Sequence, residues 1–412
     1  MRLLAILTAA TALGCAGAAD PPAAGRPVLL PDVGGPLRVA AISVSSARRA
    51  TLRNADLVTN IVNGLPAPTR FFVLTNDRSA FTVARDDSPG RVRFLDLPFK
   101  SPITIWTQDP FLVLSGPGDE ITLLTSKAFE RADDRLMAEV IAKAGGYRVQ
   151  PSGLFFEGGN IVSDTEHILI GANTIRRNAM ELDVPDSEVV LRFEEELGRP
   201  VLVVGPFPQP IGHIDMAITP LGDGRIAVAD AAAGAAIAER ALKENPESVA
   251  AFERWCEEHF FGNPAISELK GVDGPLTAPR VAGRTKEMVA KSREVAPLLD
   301  GIAAALVKQG YRVERVPLLF GGPEDEPGPG DTERMRAAYP MLTYNNVIIE
   351  TAANGRRVYL PRYGWPAMDD AAREAWAALG FTPRPIDGLT ISAMYGGALR
   401  CSVKVLARAA AF

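Results

Sequence analysis

The sequence predicts an α/β protein assembled from about five loosely similar units of strand, loop, strand and helix. Three observations carry that expectation. Apolar runs with strand character recur along the whole chain. Stretches with an apolar helical face separate them and stop at glycines, at Gly145-Gly146, Gly310 and Gly380. The loops between the strands carry Gly or Asp. With 412 residues, 47% of them hydrophobic, the chain can bury a large core, and length alone suggests two or three domains. Its 44 basic and 49 acidic residues leave a net charge of -5, which argues against a nucleic-acid surface.

The first residues read as a targeting segment over 1–18. Arg2 supplies a charged start, and 3–13 is an apolar run too short to span a membrane. Leu13-Gly14-Cys15 matches a bacterial lipoprotein box, with Cys15 becoming the lipidated first residue, although Ala12 stands where a larger aliphatic is usual. Ala16-Gly17-Ala18 offers an ordinary A-x-A cleavage site instead. Either way the expectation is an exported protein, an envelope lipoprotein or a secreted one, meeting the membrane only through a lipid anchor. Residues 19–36 read as a linker, and 37–412 as one domain.

Within that domain the first unit is a strand over 37–42, a helix over 47–62 and a strand over 70–74. The next has strands over 92–97, 104–105 and 121–124, then a helix over 133–144 with Leu136, Val140 and Ile141 on one face. A strand over 147–149 follows, then a Gly-rich loop and a strand over 168–170. A helix over 188–197 leads to strands over 201–204 and 226–228. Residues 232–258 read as helical and Ala-rich, with Pro246 opening the second half. About 232–290 forms an insertion, irregular from 262 on. A helix over 295–308 precedes strands over 311–316, 342–349 and 357–360. Gly321 to Gly330 is an acidic Pro/Gly-rich loop, read as a solvated connector. A helix over 370–379 is followed by 389–392 and a last strand carrying Cys401.

Four stretches carry chemistry: Trp106-Thr107-Gln108-Asp109, Phe156-Glu157-Gly158-Gly159-Asn160, Gly212-His213-Ile214-Asp215-Met216, and Gly396-Gly397-Ala398-Leu399-Arg400-Cys401. Singly, each has an ordinary structural reading. Asp109 before Pro110 could be a turn carboxylate, the Gly pair a hairpin with φ > 0, His213 a satisfied histidine and Cys401 a buried thiol. Jointly they supply a thiol, a His, a Glu and two Asp. A guanidinium is planar, charged and resonance-stabilised, so attack on its carbon needs carboxylates gripping its N–H groups, a thiolate on its face and an acid for the departing ammonia. Asp109 and Asp215 are the candidate forks, Cys401 the nucleophile, His213 the acid and base, and Glu157 the group that orients His213. If His213 and Asp215 lie on a strand, two residues apart, they face the same way. Arg176 and Arg400 are candidates to bind a substrate carboxylate or peptide carbonyl. Asp164, after the Gly-rich loop, reads as a turn residue. Cys256, in a helical pattern, and Cys401 are expected to stay unpaired.

With Thr343-Tyr344-Asn345-Asn346, these motifs resemble those of the guanidine-modifying enzymes of the pentein fold, among them arginine, agmatine and peptidylarginine deiminases and amidinotransferases. The resemblance covers most of 37–405 and is strong only at the motifs. It implies a five-bladed, pseudo-symmetric α/β propeller of ββαβ modules with the site on the pseudo-axis. It implies the same roles for Asp109, Glu157, His213, Asp215 and Cys401, and a place for Trp106 beside the substrate stem. Gln108, Asn160 and Asn346 are further candidates for the substrate site. The expected activity is deimination of an arginine, peptidyl-arginine or agmatine-like substrate to a ureido product and ammonia through a Cys thiouronium, with no cofactor and no metal. Pro110-Phe111-Leu112 stand where the calcium-dependent animal enzymes carry an acidic residue. Two alternatives are an amidinotransferase and a non-catalytic binding protein on the same scaffold; the substrate and the oligomeric state are left open.

Overall fold

The computed structural model describes residues 25–44, 48–75, 90–97, 103–129, 131, 133–258, 283–321, 340–394 and 396–409. The targeting segment with Cys15, the acidic loop from 322 on, the irregular part of the insertion over 259–282, and Tyr395 lie outside them.

Five small sheets make up the β structure among the described residues. Each contains an antiparallel pair whose second strand continues through a helix or helices into a parallel strand. In the first, Leu37–Ser43 lies antiparallel to Lys404–Arg408 and parallel to Arg70–Thr75, with Val92–Asp96 beyond. In the second, Phe111–Ser115 and Ile121–Thr125 are antiparallel, and Arg148–Pro151 joins parallel after the helix Leu136–Gly145. Ile161–Ser163, Ile168–Gly171 and Val201–Val204 form the third around two helices, Ala172–Leu182 and Asp186–Leu197. The fourth joins Ile218–Gly222, Arg225–Asp230, Arg312–Leu319 and Leu342–Thr343. The fifth joins Ile348–Ala352, Gly355–Pro361 and Thr382–Ile386 around the helix Pro366–Ala378.

Local chemistry explains the boundaries. Asp223 and Gly224, with φ of 55° and 65°, make the tight turn between Ile218–Gly222 and Arg225–Asp230. Asp230 caps the helix Ala231–Glu244 by accepting from Ala233 N, and Asn245 caps Pro246–Cys256 by accepting from Ser248 N with Pro246 at the first turn. The core is a set of apolar clusters between sheets and helices, with Trp365, Trp376 and Tyr344 fully buried.

Several expectations need correcting. The presumed linker is folded from residue 28 on: Val28–Leu29 pairs with Phe111–Ser115, and Leu29 is buried. The helix expected over 295–308 is Arg284–Lys308, which continues through Pro297 and takes in the end of the supposed irregular stretch. No strand carries Thr104 and Ile105, and the run over 342–349 breaks into two short strands belonging to different sheets. Leu389–Met394 is helical, and Cys401 sits on the one-turn helix Leu399–Ser402 that precedes the final strand. His213 and Asp215 are on a 3-10 turn, Ile214–Met216 with His213 as its cap, and not on a strand. No helix among the described residues is long and apolar enough to cross a membrane.

Candidate active site

The motif loops occupy equivalent places. Asp109 stands just before the strand Phe111–Ser115, Glu157 before Ile161–Ser163, and His213 and Asp215 before Ile218–Gly222. Asn346 stands before Ile348–Ala352, and Cys401 before Lys404–Arg408. Each of the five sheets therefore delivers one loop, and hydrogen bonds tie the loops together. Gln108 N donates to Cys401 O at 3.2 Å, Gly158 N to Asp109 O at 2.9 Å, and Cys401 N to Asn346 Oδ1 at 3.0 Å.

His213 Nε2 lies 2.6 Å from Glu157 Oε2, which leaves Nδ1 facing Asp109 Oδ1 at 3.7 Å. Burial alone would lower the His213 pKa. Asp109, the bond to Glu157 and Asp215 outweigh it and push it up to about 9. Burial would raise Glu157, yet its bond to His213 and the charges of His213 and Arg131 leave it lowered. Cys401 Sγ is buried, 3.9 Å from Asp215 Oδ2 and 3.2 Å from Asn346 Nδ2. Burial, then the Asp215 and Asp109 carboxylates, hold the thiol well above its usual range. Asp215 is fully buried and its carboxyl is raised, chiefly by burial. Its Oδ2 takes Arg400 Nη1 at 2.8 Å, while its Oδ1 is buried without a hydrogen-bond partner. A buried carboxylate oxygen without a partner is a place for a cation or a donor.

The Gly158-Gly159 pair is required by close approach. A Cβ on Gly158 would sit 2.0 Å from Gln108 O, and one on Gly159 2.4 Å from His213 Nδ1. Neither glycine has positive φ, so the hairpin reading does not apply.

Trp106 packs beside Cys401, with its ring against Gly397. The other residues expected to touch substrate are engaged within the protein. Gln108 Nε2 donates to Gly158 O at 3.1 Å. Asn160 spends its amide on Thr174 Oγ1 and Gln209, and its Oδ1 accepts from Ile214 N, which fixes the His213 loop. Asn346 clamps the Cys401 backbone. Arg400 is buried; its guanidinium meets both Asp32 oxygens, Asp215, and the carbonyls of Gly158 and Ile161, so its donors are consumed internally. Arg176 is half-exposed, paired with Asp186 at 3.1 Å and placed over the Phe207 ring, and is not brought to the cluster. Asp164 does make a turn, accepting from Glu166 N and His167 N, and also takes the Tyr311 hydroxyl at 2.6 Å in the interior.

Sequence reasoning missed Arg131. Its Nη2 lies 2.8 Å from Asp109 Oδ2, Nε 2.8 Å from Asp134 Oδ2 and Nη1 3.6 Å from Glu157 Oε1. It also missed Asp32, the partner of Arg400, and Lys404, whose Nζ donates to Gln108 O at 3.1 Å. No local motif marks any of the three. Cys256 and Cys401 are unpaired and buried. Among the described residues no group of three or more His, Cys, Asp or Glu is placed to hold a metal ion.

Sheets and helices together have the fold of solved agmatine deiminases. C. jejuni agmatine deiminase matches with a TM-score of 0.59 at 13% identity, over 92% of this chain and 96% of that one. A cysteine-to-serine form of that enzyme with substrate bound matches with 0.58 at 12% identity, over 94% and 98%. The agmatine deiminase of Enterococcus faecalis matches with 0.58 at 12% identity, over 93% and 96%. No protein-family model matches the sequence, and no curated protein does.

Proposed function

We propose that this chain is a hydrolase of guanidino C–N bonds, a deiminase that converts a guanidino group to a ureido group and releases ammonia. One observation carries the reading: a thiol, a His–Glu pair and two aspartates meet in one place, and Asp215 Oδ1 is left without a partner. A planar cation set between Asp109 Oδ1 and Asp215 Oδ1 satisfies that oxygen and places its carbon over Cys401 Sγ. Arg131, on the other oxygen of Asp109, holds that carboxylate in position. In this reading the five sheets are blades around a pseudo-axis, supported by the single loop each sheet sends to the site.

The bound cation offsets the two carboxylates that hold the Cys401 thiol high, so the thiol proton is released on binding. Thiolate attack forms the C–S bond. His213, charged below about pH 9, donates the Nδ1 proton to the departing nitrogen, and ammonia leaves a thiouronium on Cys401. Neutral His213 then takes a proton from water as the water oxygen bonds to the same carbon. The C–S bond breaks as the remaining hydroxyl proton passes to solvent, giving the ureido product, the Cys401 thiolate and a His213 that keeps the proton it took.

The substrate class is a guanidino small molecule or an arginyl peptide. The named activity of the matched agmatine deiminases favours an agmatine-like amine among these, and free or peptidyl arginine follows from an exported setting. Transfer of the amidino group to an amine instead of water is the rival outcome at the same thiouronium. The deciding experiment measures ureido product and ammonia from free arginine, agmatine and a blocked arginyl peptide, with Cys401→Ala alongside. Turnover by the unaltered protein and none by a folded Cys401→Ala variant is expected. Turnover in that variant would remove the covalent route, and ammonia-free consumption dependent on an added amine would select the transferase.

We propose further that the chain is exported and lipidated on Cys15, as Arg2, the apolar run and Leu13-Gly14-Cys15 suggest. Mass spectrometry of the cell-derived protein should find a lipid-modified N-terminal Cys15. An unmodified N-terminus at Ala19 would instead select plain secretion.

A further inference from the structure

A small cavity of about 40 Å³ lies behind the site, lined by Asp32, Gln108, Arg400, Lys404 and Arg408 among apolar neighbours. None of Cys401, His213, Asp109, Asp215, Glu157 and Trp106 lines it, so it is separate from the reacting groups. Its charge does not balance. Asp32 places both carboxylate oxygens on Arg400, and Arg400 reaches Asp215 as well. Lys404 and Arg408 have no carboxylate partner among the described residues. Lys404 is 4% exposed, lies over the Phe111 ring, and spends one of its three donors on Gln108 O. Arg408 donates to the carbonyls of Gly35, Ile349 and Asp32, and its Nε is buried with no partner.

An uncompensated buried cation is costly unless it loses its proton or gains a counter-charge. Burial, with Arg400 next, pulls Lys404 down to about 7, and burial pulls Arg408 down to about 10. Asp32 acts on both cations, with Asp109 and Asp215 also raising Lys404 and Glu350 raising Arg408, but these carboxylates do not offset burial, and both Asp32 oxygens are already held by Arg400. Most of its lining is apolar, but Asp32, Gln108, Arg400, Lys404 and Arg408 also line it, and it is large enough for roughly two or three waters or one small ion. Leu30, Pro31 and Arg408 also wall a wider cleft of about 540 Å³, so the cavity borders on a route from outside.

We propose that this cavity is a binding site for one small monovalent anion of chloride size, held by Lys404 Nζ and Arg408 Nε. A phosphate or a long carboxylate is too large. A cation is excluded by the surplus of positive charge. Such an ion keeps Lys404 charged and so strengthens its bond to the Gln108 carbonyl, one residue from Asp109. The inference stands apart from the reaction proposed above, and its test reads no turnover.

The full chain is dialysed free of halide, and its melting temperature is followed as sodium bromide replaces sodium gluconate at constant ionic strength. Gluconate does not fit the cavity. A saturable rise on the order of 3 °C is expected, and Lys404→Met should abolish it. Crystals of the unaltered protein grown in bromide should show an anomalous peak in hydrogen-bond contact with Lys404 Nζ, which decides the matter even if the variant does not fold. Bromide and gluconate acting alike, a full response in Lys404→Met, or a cavity holding only water would each overturn the assignment.

Discussion

At the residue scale, the proposed grip on a guanidinium comes down to two carboxylates that already hold protein cations. Asp109 carries Arg131 and Asp215 carries Arg400, so replacing either by Asn turns an amide donor toward a guanidinium donor. Losing a charge-assisted bond costs about 1.5–3 kcal/mol, and each Asn variant should lose roughly tenfold to a hundredfold in kcat/KM. Asp215→Asn should also lower stability, because it leaves a buried Arg400 half-paired. The control is Asp223→Asn: Asp223 is exposed and at positive φ, where Asn is at home. Equal kcat/KM for Asp109→Asn and Asp223→Asn would remove Asp109 from the site. His213 offers a measurement independent of turnover. Its folded pKa, about 9, is above the unfolded value of 6.5, so its contribution is complete below about pH 6.5 and fades as pH rises through about 9. On the order of 3 kcal/mol is at stake. Urea unfolding of the wild type should lose that margin across this window, and His213→Gln should not; parallel pH curves would refute it. The residues that were legible are those inside short distinctive strings. Arg131, Asp32 and Lys404 were not, because their meaning lies in partners that only the fold supplies: residue 32 meets residue 400, and residue 404 meets residue 108.

At the scale of elements, helices with glycine stops and strands rich in branched residues were readable, within a few residues at their ends. Thr382–Ile386 was not, since its Pro383 and Pro385 argue against a strand. It forms because it is added at the edge of its sheet, parallel to Gly355–Pro361. The helix Ala172–Leu182 was missed because its polar residues dominate and only Ile175, Ala179 and neighbours face inward. The turn under Cys401 was taken as strand because Leu399 to Val405 alternates too little to distinguish the two. Two glycines in helices allow a test of packing against propensity. Gly234, in Ala231–Glu244, would put a Cβ 1.9 Å from the Leu318 carbonyl oxygen, part of the strand beneath. Gly301, in Arg284–Lys308, is exposed with nothing within 4 Å. Gly301→Ala should therefore raise stability by roughly 0.5–1 kcal/mol, since alanine costs less backbone entropy. Gly234→Ala should lower it by more than that, on the order of 1–3 kcal/mol, as helix and strand are pushed apart. Thermal or urea unfolding of the pair checks both signs, and stabilisation by Gly234→Ala would mean that the helix stands further from Arg312–Leu319 than described.

At the scale of the whole molecule, chain length and topology make opposite forecasts. A chain above about 300 residues ordinarily divides into domains that unfold separately. Here a strand near the start and the last described strand are joined: Leu37–Ser43 pairs with Lys404–Arg408, and Asp32 holds Arg400. The largest apolar cluster runs from Leu37 through Trp376 to Val403, so no cut in the middle of the chain leaves two closed cores. The strand Val28–Leu29 adds a further tie, reaching into the second sheet from outside the expected domain limits. From the residues themselves that pairing was not readable, because strand runs at residues 37 and 404 carry no mark that they pair; only the family resemblance pointed to it. We therefore expect one unfolding transition. Tryptophan emission, weighted by buried Trp365 and Trp376 near the fifth sheet, should change together with far-UV circular dichroism as urea rises. Deleting 404–412 should abolish the native state as a whole, by opening the first sheet and removing Lys404 and Arg408 together. Two resolved transitions, or a truncated chain that keeps a cooperative melt, would show that the sheets are stable apart and that the closing strand is dispensable.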